Sequence, residues 1–122
     1  MSALRILIAD DSIIIRTKIK KMLEELGHEV AGEAATGLEA ITTFGKMRPD
    51  LVTMDITMPD MDGIEATRII IDADPNARIL MMTSHTQEDI VKEAIDAGAS
   101  GYVVKPVTQT KLKERIEKIM EL

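Results

Sequence analysis

Five short apolar runs, each followed by a polar turn and then a helical pattern, restrict this chain to a narrow set of folds. The runs are Leu4 to Ala9, Glu29 to Ala34, Leu51 to Met54, Ile79 to Met82 and Tyr102 to Val104. Most are continuous rather than alternating, the pattern of parallel strands covered on both faces. The second is the weakest and is expected at an edge. Between the runs lie helices with recognisable ends. Ser12 is placed to cap a helix with Ile15, Ile19, Met22, Leu23 and Leu26 at helical spacing, and Gly27 is its stop. Thr36 followed by Glu39 forms a capping box, and Pro49 follows the end of that helix. A third helix starts near Gly63 and finishes before Pro75. A fourth runs from near Thr86 to near Gly98, and a fifth from about Thr108 to Leu122, with Leu112, Ile116 and Ile119 on one face.

A βα unit repeated five times implies an α/β fold, a doubly wound five-stranded parallel sheet with helices on both faces. Right-handed crossovers leave few strand orders, of which 2-1-3-4-5 is the commonest for five strands. No linker or low-complexity tract interrupts the pattern, so residues 1–122 read as one domain. A 122-residue chain with 45% hydrophobic residues has enough apolar surface for one core without staples.

Composition excludes several function classes. The absence of cysteine removes disulfide frameworks and thiolate metal sites, and makes a reducing, cytoplasmic compartment the expectation. No run is long enough to span a bilayer and the start of the chain lacks a signal-peptide pattern, so no membrane insertion is expected. A net charge of -6 opposes direct nucleic acid binding, and Phe44 and Tyr102 are too few aromatics for a base-stacking surface.

In an open parallel sheet, ligands bind beyond the carboxyl ends of the strands, where the strand order reverses. The residues that follow each run are therefore the informative ones. Asp10 and Asp11 follow the first, Asp55 the third, Thr83 and Ser84 the fourth, and Lys105 and Pro106 the fifth. The expected strand order gathers three carboxylates, a hydroxyl and an ammonium on one rim. Taken singly, each has a plain structural reading: Asp-Asp-Ser suits a helix start, and Thr83 a turn. Their coincidence at four strand ends does not. Clustered carboxylates repel unless a cation lies among them, and a few hard oxygen ligands suit Mg²⁺. A carboxylate is also a competent nucleophile toward phosphorus, with the metal and Lys105 neutralising the charge that arrives.

These residues resemble the response-regulator receiver family, in its single-domain, CheY-like type with the flavodoxin/CheY-like sheet. The matching stretches are Ile6 to Ser12, TMDITMPDMDG from Thr53 to Gly63, Thr83-Ser84, and Tyr102 to Pro106. The resemblance implies that Asp55 is the site of phosphorylation, an aspartyl phosphate in a two-component phosphorelay. It implies Mg²⁺ held by Asp11, Asp55 and the Thr57 carbonyl, with Asp10 acting through a water. Lys105 would pair with phosphoryl oxygens before a cis bond to Pro106. Thr83 and Tyr102 would be the switch residues, changing the face formed by the fourth helix, fifth strand and fifth helix. Thr57 and His85 would tune the lifetime of the phosphorylated state. The implied partners are a sensor histidine kinase, approaching over the first helix, and a downstream effector protein. The chain itself is expected to be a monomer, and a self-modifying signalling protein rather than an enzyme acting on external substrates.

PDLVTMDITMP, from Pro49 to Pro59, is especially like chemotaxis proteins of this family, whereas Val107 and the SHTQE segment from Ser84 to Glu88 depart from them. Two variants of the reading keep the fold: a receiver belonging to a longer regulator, and a binding module that is never phosphorylated. A dehalogenase-type phosphatase would need a D-x-D motif where Asp10 and Asp11 are adjacent. A flavodoxin-type carrier would need a Gly- or Ser-rich first loop where this chain has carboxylates.

Overall fold

The apolar runs assemble into a single five-stranded sheet in the computed structural model, which describes residues 3–84 and 87–121. The strands are β1 (Arg5–Ala9), β2 (Glu29–Ala34), β3 (Leu51–Asp55), β4 (Ile79–Thr83) and β5 (Gly101–Val104). All pairings are parallel and the order is β2-β1-β3-β4-β5, as the alternation predicted. Every residue of β3 and β4 is buried, which is why these runs are unbroken by polar side chains. β2 is an edge strand with only Ala34 buried, and it joins β1 with a register shift between Ile6 and Leu7.

The helices are α1 (Ile13–Glu25), α2 (Gly37–Met47), α3 (Gly63–Ala73), α4 (Glu88–Asp96) and α5 (Gln109–Met120). Their starts follow from capping: Ser12, Thr36, Asp62 and Thr108 each accept a bond from the backbone N–H three residues on. Glu39 completes the second cap by accepting from the N–H of Ala35 at 2.7 Å, one residue earlier than an ideal capping box. Gly27 and Gly98 lie just past α1 and α4 with φ of 93° and 110°, a left-handed conformation that only glycine adopts freely. α4 starts at Glu88 with Gln87 as its cap, near the expected start; Thr86 itself lies outside the described residues. One expectation is corrected at a helix end: α5 stops at Met120 with Glu121 as its cap, short of the expected end.

Two cores lie on opposite faces of the sheet. Leu7, Val52, Met54 and Met81 pack under α2, α3 and α4 with Ala40, Ile64, Ile70 and Ala94. Ile6, Ile8, Leu80 and Met82 pack against Ile19 and Leu23 of α1 and Leu112 and Ile116 of α5. Seven of the nine methionines of the chain are buried or packed against the α2–α4 or α1–α5 core (Met54, Met58, Met61, Met81, Met22, Met82 and Met120), which fits their use as adaptable filler.

Candidate functional site

The carboxyl ends of β1 and β3 lie side by side at the point where the strand order reverses, because Ala9 pairs with Met54. Asp10 is the first residue beyond β1, and Asp55 is the last residue of β3, paired with Met82 of β4. Asp55 is therefore part of the ladder, one position earlier than a reading of the apolar run places it. Its backbone is fixed from both sides. The next residue, Ile56, donates its N–H to Met82 at 3.1 Å and accepts from Gly63 N–H at 2.8 Å.

Gly63 is a residue whose role the sequence reading missed. A Cβ at Gly63 would stand 2.0 Å from the Asp55 carbonyl oxygen, so the start of α3 presses directly on the strand end that bears the central carboxylate. The only signal for it in the sequence is a glycine where helix propensity would prefer another residue.

Asp10, Asp11 and Asp55 each present an oxygen, and these oxygens all lie within 4.8 Å of one another. Asp10 and Asp55 are buried, whereas Asp11 is exposed. Lys105, just past β5, reaches between two of the carboxylates. Its Nζ donates to Asp10 Oδ2 and pairs with Asp55 Oδ1, both at 3.1 Å. The sequence reading paired Lys105 with an incoming phosphoryl group; the structure shows it tied to Asp10 as firmly as to Asp55. The other Asp10 oxygen accepts from the N–H of Ser12 at 2.9 Å. Lys105 is itself positioned by its N–H, which donates to the Thr83 carbonyl at 2.8 Å, and it precedes a cis bond to Pro106.

One ammonium among three carboxylates leaves the site short of positive charge. Burial pushes the Asp55 carboxyl above its usual range, and the charge of Asp10 pushes the same way. Lys105 opposes both without cancelling them. Burial alone would lower the Lys105 ammonium, yet its bonds and the charges of Asp10 and Asp55 raise it above an ordinary lysine. This donor set fits a hard divalent cation: few oxygen ligands, all carboxylate, in a pocket with excess negative charge.

The other residues singled out in the sequence, Thr57, Thr83, His85 and Tyr102, differ in where they stand. Thr83 ends β4 and is buried, and Thr57 is exposed in the loop after β3. Tyr102 on β5 is half-buried against the α2–α4 core, with the Arg115 guanidinium of α5 standing 5.8 Å from its ring centre. His85 lies outside the described residues. No helix among the described residues is long and apolar enough to cross a membrane.

The fold and the acidic rim together define a receiver, and residues 6–117 match the family described as the response regulator receiver domain. The chain belongs to that family, and with it to the phosphoacceptor signalling proteins rather than to enzymes that turn over an external substrate. Among its relatives, the protein CcdB of Bacillus subtilis is 47% identical over 116 residues, covering 95% of this chain and 97% of that one. The chemotaxis protein CheY of Thermotoga maritima is 44% identical over 115 residues, covering 94% and 96%. The crystal structure of a CheX–CheY–BeF₃–Mg²⁺ complex from Borrelia burgdorferi superposes with a TM-score of 0.92 at 33% identity, covering 94% of this chain and 87% of that one.

Proposed function

We propose that Asp55 is the phosphoacceptor of this receiver and that the carboxylate cluster binds Mg²⁺ for the transfer. The observation that carries this reading is the placement of Lys105 Nζ, 3.1 Å from both Asp10 and Asp55, in a pocket that holds more carboxylates than cations. In the reaction, an Asp55 carboxylate oxygen attacks phosphorus and forms a P–O bond, while the bond to the donor breaks and its electron pair leaves with the donor. The backbone that carries this buried carboxylate is held by pairing with β4 and by the close approach of Gly63 at the start of α3. The Lys105 ammonium, already at hydrogen-bond distance from Asp55, is placed to meet the added negative charge. Asp10, Asp11 and Asp55, with the Thr57 carbonyl, are the groups that would hold Mg²⁺, which supplies charge neutralisation and alignment of phosphate oxygens when bound.

Thr83 and Tyr102 are proposed as the residues that report the change, and Thr57 and His85 as those that set its lifetime. The reporting face is α4, β5 and α5, where Ile95, Tyr102, Arg115 and Lys118 line a groove. The donor is a phosphohistidine of a sensor kinase. Its approach over α1 is supported by Ile13 and Ile14, which stand 67% and 65% exposed in the helical turn beside the acidic rim. The similarity to CheY proteins supports a chemotaxis-type effector, and we take the regulator to act as a cytoplasmic monomer.

Intact mass after incubation with acetyl phosphate and Mg²⁺ tests the chemistry. A labile gain of about 80 Da on the wild type, absent from Asp55→Asn and from samples containing a chelator, is expected. A gain that persists in Asp55→Asn would move the phosphoacceptor elsewhere. No gain in the wild type would leave the chain a binding module.

A further inference from the structure

Asp10 and Asp11 are adjacent, but one is buried and the other exposed, so the peptide joining them decides whether their carboxylates converge. That peptide lies beyond the end of β1, where ladder bonds no longer fix it on both sides. Its carbonyl oxygen instead accepts a bond from Arg16 Nη1 at 2.6 Å. Arg16 sits on α1, and its Nε donates to Glu33 Oε1 of β2 at 3.0 Å. The arginine side chain is only 15% exposed, more enclosed than the 38% of its Glu33 partner. One guanidinium thus joins a helix, an edge strand and the first peptide of the acidic cluster. The planar fork of arginine suits this task, since it directs two donors along fixed directions at once.

We propose that Arg16 is a positioning residue for the cation site: by holding the Asp10 carbonyl, it sets the peptide plane that brings Asp11 to Asp10 and Asp55. The Asp10 carboxylate is secured separately, by the Ser12 N–H and Lys105. Asp11 is exposed and takes its direction from the backbone. The inference rests on the Mg²⁺ reading of the cluster and adds to it a residue from outside the acidic set.

The sign of the effect separates positioning from simple charge. A fixed positive charge near the pocket opposes a dication, so on charge alone removing Arg16 tightens Mg²⁺ binding. Positioning predicts the reverse. The test is the dependence of melting temperature on Mg²⁺ concentration for the full chain, with each variant referenced to its own metal-free melt. A loss of general stability moves the metal-free value and leaves the concentration dependence in place.

Arg16→Met is expected to weaken Mg²⁺ about tenfold, the lower end of what loss of a ligand-orienting partner costs. Arg16→Lys keeps the charge and much of the stem but cannot reach both acceptors, so it is expected to weaken binding as well. Glu33→Leu, which frees the guanidinium from its anchor, moves the same way by less. Wild-type affinity or tighter binding in Arg16→Met overturns the proposal, as does full retention in Arg16→Lys. If Arg16→Met does not melt cooperatively, the lysine variant decides. A wild type whose melt ignores Mg²⁺ overturns the metal reading beneath, a result distinct from any ordering among the variants.

Discussion

The two ends of the sheet treat polar groups in opposite ways. At the amino end, the Arg5 N–H donates to Asp50 Oδ2 at 2.8 Å, and its guanidinium donates to the Met47 carbonyl at 2.9 Å. His28, buried beside it, accepts the N–H of Leu4 on Nδ1 at 3.1 Å. Each of these donors finds an acceptor, with the Arg5 guanidinium also reaching the Arg48 carbonyl at 3.3 Å, and the result is a closed end that ties β1 to its neighbours. At the carboxyl end, three carboxylates share one ammonium and the charges do not balance. The difference teaches where this molecule keeps its reactivity. A matched end contributes stability, whereas an unmatched end holds affinity for a charge yet to arrive.

The sharpest way to break the contrast is Lys105→Met. It removes the cation that Asp10 and Asp55 share and leaves both buried, so metal-free stability is expected to fall by about 2 kcal/mol. Urea unfolding in a chelator measures this, and added Mg²⁺ should recover most of the loss. An unchanged midpoint would mean that the two carboxylates are not held against repulsion.

Asp55→Asn should act with the opposite sign. It relieves the crowding and is expected to raise metal-free stability by about 1 kcal/mol, the ordinary size of a point substitution but in the rarer direction. Its pH dependence follows from burial and the Asp10 charge, which raise the Asp55 pKa above 3.8 in the folded chain. The folded state holds that proton more tightly than the unfolded one. This contribution is present below pH 3.8 and is lost as pH rises through the raised value. The advantage of the asparagine variant should therefore grow with pH across that window and then level off.

Thr53 marks the middle of the sheet, between the two ends. Its hydroxyl is buried on β3 and is without a hydrogen-bond partner among the described residues. Thr53→Val should add roughly 1 kcal/mol at every pH, because it removes an unsatisfied polar group at nearly constant volume. A gain that varied with pH would couple this site to the carboxylates above it.

The smallest effect belongs to the amino end and runs against that of Asp55. Burial lowers the His28 pKa below 6.5, so the unfolded chain takes up a proton first. Stability from His28 is present above pH 6.5 and is lost as pH falls through the depressed value. His28→Asn, whose carbonyl can accept the same N–H, should lack that slope in melts between pH 5 and 7.5. If both variants share the slope, the acid sensitivity lies in other groups.

Most of the fold was legible because β3 and β4 are buried throughout, leaving unbroken apolar runs, and because Ser12, Thr36 and Thr108 announce their helices. The identities of the acidic cluster were legible too, since strand ends point to the rim. What the sequence did not disclose is who holds whom. Asp55 sits inside the ladder rather than past it, because pairing with Met82 continues one residue beyond the apolar run. The bond from Lys105 to Asp10 joins residues 95 positions apart, and no local pattern records it. Arg16 belongs to no motif that the sequence singles out; only the fold brings the end of β1 and Glu33 within its reach. Gly63 was visible as a helix start but not as a contact, because its role is the side chain it lacks.

Lys105 and Tyr102 stand on the same short length of chain, the residue just past β5 and one near its beginning. The distance between them along an extended strand is about 10 Å. Under the proposed roles, a pull on the ammonium at the rim would be applied to a nearly inextensible rod whose other end lies on the proposed reporting surface. Such a rod would need no chain of yielding contacts to carry the message, so the signal would lose little to slack on the way. Sender and receiver would then be, in mechanical terms, one part.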